Sequence, residues 1–270
     1  HAGEGSANIK DVTAPAGAVD VPFYGFGVNG ANVGLAGSAS STIKVKLGTV
    51  ITFNLSESVP GAVSLSFPSI SNASVTGSSG TFQVTADKVG TMIYEPGSNP
   101  SAPRQIAMGL VGVLIVVPAD CASPTGMCAY DSAVTYADEA VVATTDIDAE
   151  FAANPAAFDM GYFGQSRNPD GSPRQVYHLI NGKAYPDTDL INVRPTDNLL
   201  IRSVNAGVSD KTMGLLGMQQ TLLARNASLY TNAQTFVAPL VGPGETADIS
   251  IAVSECATMG QQYSLMDQGR

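Results

Sequence analysis

Residues 177–207 read YHLINGKAYPDTDLINVRPTDNLLIRSVNAG. Short runs rich in Leu, Ile and Val are broken here by Asn-Gly, Tyr-Pro and Pro-Thr-Asp. That is the pattern of β-strands joined by turns, not of a helix. The strands are predicted at Val176–Ile180, Leu190–Val193 and Asn198–Val204. The stretch PTDNLLIRSVNAG has the same layout as LGTVITFNLSE, residues 47–57, each a hydrophobic strand after a Gly or Asp turn. A second pair of segments matches too. MGLVGVLIVVP (108–118) and VGPGETADISIAV (241–253) are both closing strands after a Gly-containing turn. The match is one of layout, and it predicts two copies of one all-β fold, residues 1–120 and 121–270.

Working outward, residues 17–37 are Gly-rich and apolar and predict a strand, a turn and an irregular crossing. Ile43, Val45 and Leu47 alternate with polar residues, and Val50–Leu55 is the next strand. Further strands are predicted at Val63–Phe67, Thr81–Thr85, Thr91–Tyr94 and Gly112–Val117. In the second half they fall at Ala140–Thr145, Gln220–Ala224, Gln234–Val237 and Ala247–Val253. Such spacing suits an antiparallel sandwich. Ala149–Asp159 is the best helical candidate, broken at Pro155. SRNPDGSPRQ is a polar, turn-rich excursion.

The chain has 270 residues, a formal net charge of −10 and only 13% charged residues. No basic face can neutralise phosphates, so nucleic acid is excluded as a partner, and so are anionic membrane surfaces. No run of apolar residues is long enough for a transmembrane helix. The first residue is His1, not Met, as expected of a processed or trimmed chain. Cys121 and Cys128 flank a short loop and are disulfide candidates, which fits an oxidising compartment; Cys256 is left over. Asn-x-Ser triplets begin at Asn54, Asn72 and Asn226.

Residues 177–207 resemble the middle domain of a multicopper oxidase. The resemblance rests on Asn181, Gly182, Tyr185, Pro186, Arg202, Asn205 and Gly207 in that family's order. It continues through MGLLGMQQTLLARNASLY to Pro243, Gly244, Glu245 and Asp248. In the first half it rests on the Gly-Thr-Val strand start, on Gly90 to Tyr94 and on Met108 to Val116. The resemblance implies two tandem cupredoxin-like Greek-key β-sandwiches. It also implies copper, and there the sequence departs from the pattern. The family places a His-x-His pair where SLSFPS offers Ser66 and Pro68, and a second where Glu95 and Gly97 stand. No Cys-His pair exists for a blue-copper centre, and the only histidines are His1 and His178. Imidazole and thiolate are what such centres require.

Other chemistry-bearing residues have both a functional and an ordinary reading. His1 could chelate copper through its amino group and ring, with His178 as the one candidate partner. The ordinary reading is a frayed terminus and a half-buried strand histidine. Glu95 with Asp87 could hold a hard cation. So could Asp138, Glu139, Asp146, Asp148 and Glu150, whose ordinary reading is a solvated loop and helix start. Met108, Met127, Met213 and Met218 could bind copper(I), but scattered methionines usually fill cores. Ser64, Ser66 and Ser69 lack a neighbouring base, and GFGVNG around Gly25 lacks the strand-to-helix setting of a dinucleotide site.

The sequence therefore predicts a copper-free, non-catalytic relative of multicopper oxidases without a bound cofactor. It would act as a structural or partner-binding subunit in the periplasm, outside the cell or on its surface. Self-association or a protein partner is expected, with electron-transfer proteins as one class. The alternative is a copper-binding oxidoreductase or copper carrier completed by another chain or a further domain. A sugar-binding sandwich is disfavoured by the absence of Trp.

Overall fold

The run GVLIVV, Gly112–Val117, has no polar alternation because both of its faces are buried. Leu114 and Val116 enter the core of the first half, whereas Val113, Ile115 and Val117 face the second half. The whole arrangement follows from this strand. The computed structural model describes residues 1–11, 17–56, 58–70, 74–75, 80–123, 127–131, 134, 136–195, 197–253 and 260–269.

The first half contains strands β1 (Ala2–Lys10), β2 (Ala18–Phe26), β3 (Thr42–Lys46), β4 (Val50–Leu55), β5 (Leu65–Ser66), β6 (Ser74–Val75), β7 (Gly80–Thr85) and β8 (Gly90–Tyr94). Helix α1 (Ala102–Ala107) and strand β9 (Gly112–Val117) complete it. β3, β9 and β8 form a three-stranded sheet, with β3 parallel and β8 antiparallel to β9. β4 pairs with β7, and β1 with β2. The core between these layers is aromatic: Phe53, Phe67, Phe82 and Tyr94 lie ring to ring.

The second half contains β10 (Asp138–Asp148), helix α2 (Ala149–Ala153), β11 (Val176–Ile180), β12 (Asn198–Asn205), β13 (Lys211–Leu215), β14 (Gln220–Arg225), β15 (Ser228–Phe236), β16 (Leu240–Val241), β17 (Thr246–Ala252) and β18 (Leu265–Asp267). The six-stranded sheet has the order β11-β10-β12-β17-β14-β15, and a three-stranded sheet β16-β13-β18 faces it. Met213 and Val241 from the small sheet meet Val142, Leu199, Ile201, Leu222, Ile249 and Ile251 from the large one. Two sheets packed face to face over an apolar core make a β-sandwich.

The two halves meet through the outer face of β8 and β9 and the back of β10, β12 and β17. Period-two alternation decides who points there: Thr91 and Ile93 on β8, Arg202 and Val204 on β12, and Asp248 on β17. Arg202 is fully buried, directly opposite Asp248 in register. Its guanidinium donates to Glu139, to Thr91 Oγ1 at 3.1 Å and to Asp248 at 3.4 Å. Lys44 reaches Glu139 from the first half at 2.5 Å, and Thr91 donates to Asp248 at 2.6 Å. Tyr130, on the segment joining the halves, also donates to Asp248. The charges balance across the seam, as burial demands. Burial alone would raise the Glu139 carboxyl, but Arg202 and Lys44 more than reverse this and leave it below the usual carboxylate range.

Several expectations need correction. Leu190–Val193 is not a strand; Leu190 is exposed and the segment is irregular. The expected strand at Val63–Phe67 shrinks to Leu65–Ser66, and the predicted helix Ala149–Asp159 ends at Ala153, ahead of Pro155. The strand at Gln234–Val237 is the end of the longer β15. Strands β1 and β13 were not expected. β1 hides its signal because Gly5 replaces an apolar residue: a Cβ there would lie 2.5 Å from the Phe23 ring.

Candidate functional site

The two segments where the resemblance places histidine pairs do come together. Ser66 at the end of β5 and Glu95 just past β8 form a bridge, with Ser66 N donating to Glu95 O at 2.8 Å and Glu95 N returning a bond at 3.1 Å. Gly97 N donates to Ser64 O at 3.2 Å, and Asn99 Nδ2 to Ser64 Oγ at 2.8 Å. The polar side chains that these segments carry are the hydroxyls of Ser64 and Ser66, the Asn99 amide and the Glu95 carboxylate. Burial pushes the Glu95 carboxyl above its usual range. Oxygen donors of this kind do not match the imidazole and thiolate set that copper centres use. The residues present therefore do not fit the copper cluster that the resemblance implies. Pro68 is exposed and Ser69 partly so; neither joins the bridge.

Glu95 and Asp87 do not meet. They lie at opposite ends of β8, about 17 Å of strand apart. The five acids of residues 138–150 are not a solvated loop. Four of them lie along the single strand β10, and the innermost are buried, each against its own cation. Glu139 is held by Lys44 and Arg202. Asp148 pairs with the buried Arg174 and also accepts from the N–H groups of Glu150 and Phe151, capping α2. Glu150 accepts from Asn168 at 2.8 Å.

Asp146 forms the second constellation. Its Oδ1 meets Lys211 Nζ at 2.8 Å and His178 Nδ1 at 2.6 Å; its Oδ2 accepts from Ser209 Oγ at 3.0 Å and Val208 N at 3.1 Å. Lys211 is buried and reaches Ser209 Oγ at 3.0 Å and Asp267 at 3.6 Å. Burial alone would raise the Asp146 carboxyl, but the hydrogen bonds and charges of His178 and Lys211 hold it well below its ordinary range. Gly207 is required beside it, since a Cβ there would strike Asp146 Oδ2. His178 is not half-buried: 64% of its side chain is exposed, with the ring oriented through Nδ1. Sequence reasoning missed Lys211 and Ser209. Nothing in the local pattern joins Lys211 to an acid 65 positions away.

His1 is not frayed. Its nitrogen donates to Gly27 O at 2.8 Å, and its carbonyl accepts from Gly27 N at 2.8 Å. The ring lies against Gly27, whereas His178 meets Asp146. Met108 and Met213 are buried in separate cores, Met218 packs beside the second, and Met127 is exposed, so the methionines do not gather. Cys121 and Cys128 are joined, with their Cα atoms 5.9 Å apart. Cys256 and Asn72 lie outside the described residues. Asn54 is exposed and accepts from Thr81, while Asn226 sits in the β14–β15 turn and accepts from Thr246 N at 2.8 Å. Gly25 lies within β2, where a Cβ would meet Gly34 O at 2.6 Å; no helix follows it. Among the described residues, no group of three or more His, Cys, Asp and Glu could hold a metal ion. Among them, too, no helix is long and apolar enough to cross a membrane.

The motif residues behind the resemblance hold structural positions. Asn181, with φ of 50°, turns the chain after β11; its Oδ1 accepts from Ala143 N at 2.9 Å and its Nδ2 donates to Val141 O at 2.8 Å. Asn205 Nδ2 donates to Ser209 O and Val241 O, both at 2.8 Å. Glu245 pairs with Arg225 at 2.5 Å and accepts from Gly242 N.

No family model and no curated protein matches the sequence. Solved structures do match. The blue copper oxidase of Nitrosomonas europaea superposes with a TM-score of 0.68 at 19% identity, covering 94% of this chain and 74% of that one. The multicopper oxidase mgLAC gives 0.70 at 18%, covering 99% and 78%. The copper nitrite reductase of Nitrosomonas europaea gives 0.68 at 19%, covering 99% and 87%. This chain therefore consists of two tandem cupredoxin-like β-sandwiches, the fold of the multicopper oxidases and copper nitrite reductase.

Proposed function

We propose that this chain is a copper-free, non-catalytic member of that structural group, divided at residues 120 and 121, which serves as a structural or partner-binding subunit of an exported or cell-surface assembly. The observation that carries the reading is the Ser66–Glu95 bridge, where segments expected to bear imidazoles present hydroxyls and a carboxylate. The seam between the halves supports it as well, since the ion pairs of Arg202 with Glu139 and Asp248, which Lys44 and Thr91 reach from the first half, join the tandem through protein side chains. The Cys121–Cys128 disulfide is consistent with an oxidising compartment. Electron-transfer proteins are one class of partner that this reading admits.

One observation favours the alternative, a copper-binding oxidoreductase or carrier completed by another chain or a further domain. His178 is exposed and oriented by a carboxylate, which is how metal-binding histidines are commonly held. Dioxygen uptake and nitrite consumption, measured with an electron donor and added copper(II), separate the readings. The expected result is no turnover above the copper blank; turnover that requires the protein overturns the non-catalytic reading.

A further inference from the structure

Strand β15 is the outermost strand of the six-stranded sheet, and all nine of its residues are exposed. One edge pairs with β14; among the described residues nothing pairs with the other. An open edge is a template for another strand, and proteins usually block it with Lys, Pro, inward charges or a covering element. Here no Asp, Glu, Lys, Arg or His stands between Arg225 and Glu245. Its protection is confined to Lys88, whose Nζ reaches Ser228 Oγ at 2.9 Å at the start of the strand, and to a register shift opposite Leu222/Ala224, which takes residues 230–233 out of pairing. Beyond it Gln234, Thr235 and Phe236 stay in regular pairing with Leu222, Thr221 and Gln220. Apolar side chains continue past the strand end, with Val237 66% and Leu240 49% exposed.

Charge and symmetry select the occupant. Two copies of this chain, each with a formal charge of −10, repel least where the meeting surfaces carry no charge, and residues 226–244 carry none. A strand edge meeting its own copy about a two-fold axis is self-complementary. Centred on Thr235, such pairing sets two β-branched side chains opposite one another, a favourable cross-strand pair. The chain also exposes 13049 Å². A compact monomer of this mass exposes roughly 11,000 Å², and the surplus exceeds the ~800 Å² per partner that a standard interface hides.

We propose that the free edge of β15 pairs antiparallel with β15 of a second copy of this chain, joining two six-stranded sheets into one. The inference deepens the partner-binding reading by naming the surface and the partner.

Sedimentation velocity on the full chain from about 1 to 100 μM tests it. The expected species is a dimer. Thr235→Lys, which sets like charges face to face, is expected to weaken it by about 10-fold or more in Kd. Leu190→Lys, at an exposed site away from β15, is expected to leave the dimer intact. Circular dichroism and Tm identify any variant that fails to fold. A monomer across the whole range overturns the proposal, as does a dimer indifferent to Thr235→Lys. Copper measured on the same samples reports separately on the copper-free reading, so the two failures are distinguishable.

Discussion

Ser66 and Glu95 exchange both backbone hydrogen bonds of an antiparallel bridge, at 2.8 and 3.1 Å. Directly opposed residues of this kind have Cα atoms about 5.5 Å apart, close enough for two imidazoles to share one ion. Introducing Ser66→His and Glu95→His together is expected to tighten copper(II) binding by about 10-fold or more over the native chain, or ~1.4 kcal/mol. Isothermal titration measures it. An unchanged affinity would show that the bridge lacks the geometry of a ligand pair.

Arg202 is the keystone between the halves. Arg202→Met leaves Glu139 and Asp248 buried against a neutral side chain, and losing one partner of a buried ion pair costs about 3–5 kcal/mol. Arg202→Lys should restore only part of this, because one ammonium cannot span Glu139, Thr91 and Asp248 as a guanidinium does. Urea unfolding of the three proteins gives the order native, Lys, Met.

Asp146 sets an acid limit on stability. Its folded pKa is depressed below the ordinary 3.8, so its contribution is fully present above that value and is lost as pH falls below it. Asp146→Asn strips Lys211 of its main counter-charge and should cost about 3–5 kcal/mol near neutral pH. The gap between variant and native chain should narrow as pH drops below 3.8. A Tm series against pH reads this directly; a constant gap would contradict the role given to the carboxylate.

The Cys121–Cys128 bridge closes a short loop in the segment joining the halves. Loop-closure entropy for so few residues is worth about 2.5 kcal/mol. The paired Cys121→Ser and Cys128→Ser variant should lose about that much in urea unfolding, and thiol reduction of the native chain should do the same.

Much of the fold was legible because burial writes itself into β-strands. The run Gly112–Val117 is continuously apolar since it faces two cores, and Gln220–Arg225 alternates since it faces one. Leu190–Val193 misled because its apolar residues occupy an exposed, irregular segment. The long edge strand Ser228–Phe236 was only partly seen, since a strand exposed on both faces carries no alternation. At the candidate site, the meeting of Ser66 with Glu95 was foreshadowed by the family resemblance. The Asp146–Lys211–Ser209 network was not, because its members come from separate strands and loops whose adjacency only the fold creates.

The central claim is that this tandem sandwich folds and persists without copper. Copper analysis of the full chain, equilibrated with copper(II), dialysed and scanned for visible absorption, tests it most directly. The expected outcome is a folded protein holding only trace copper and showing no visible band. Stoichiometric copper that survives dialysis, accompanied by such a band, would contradict it.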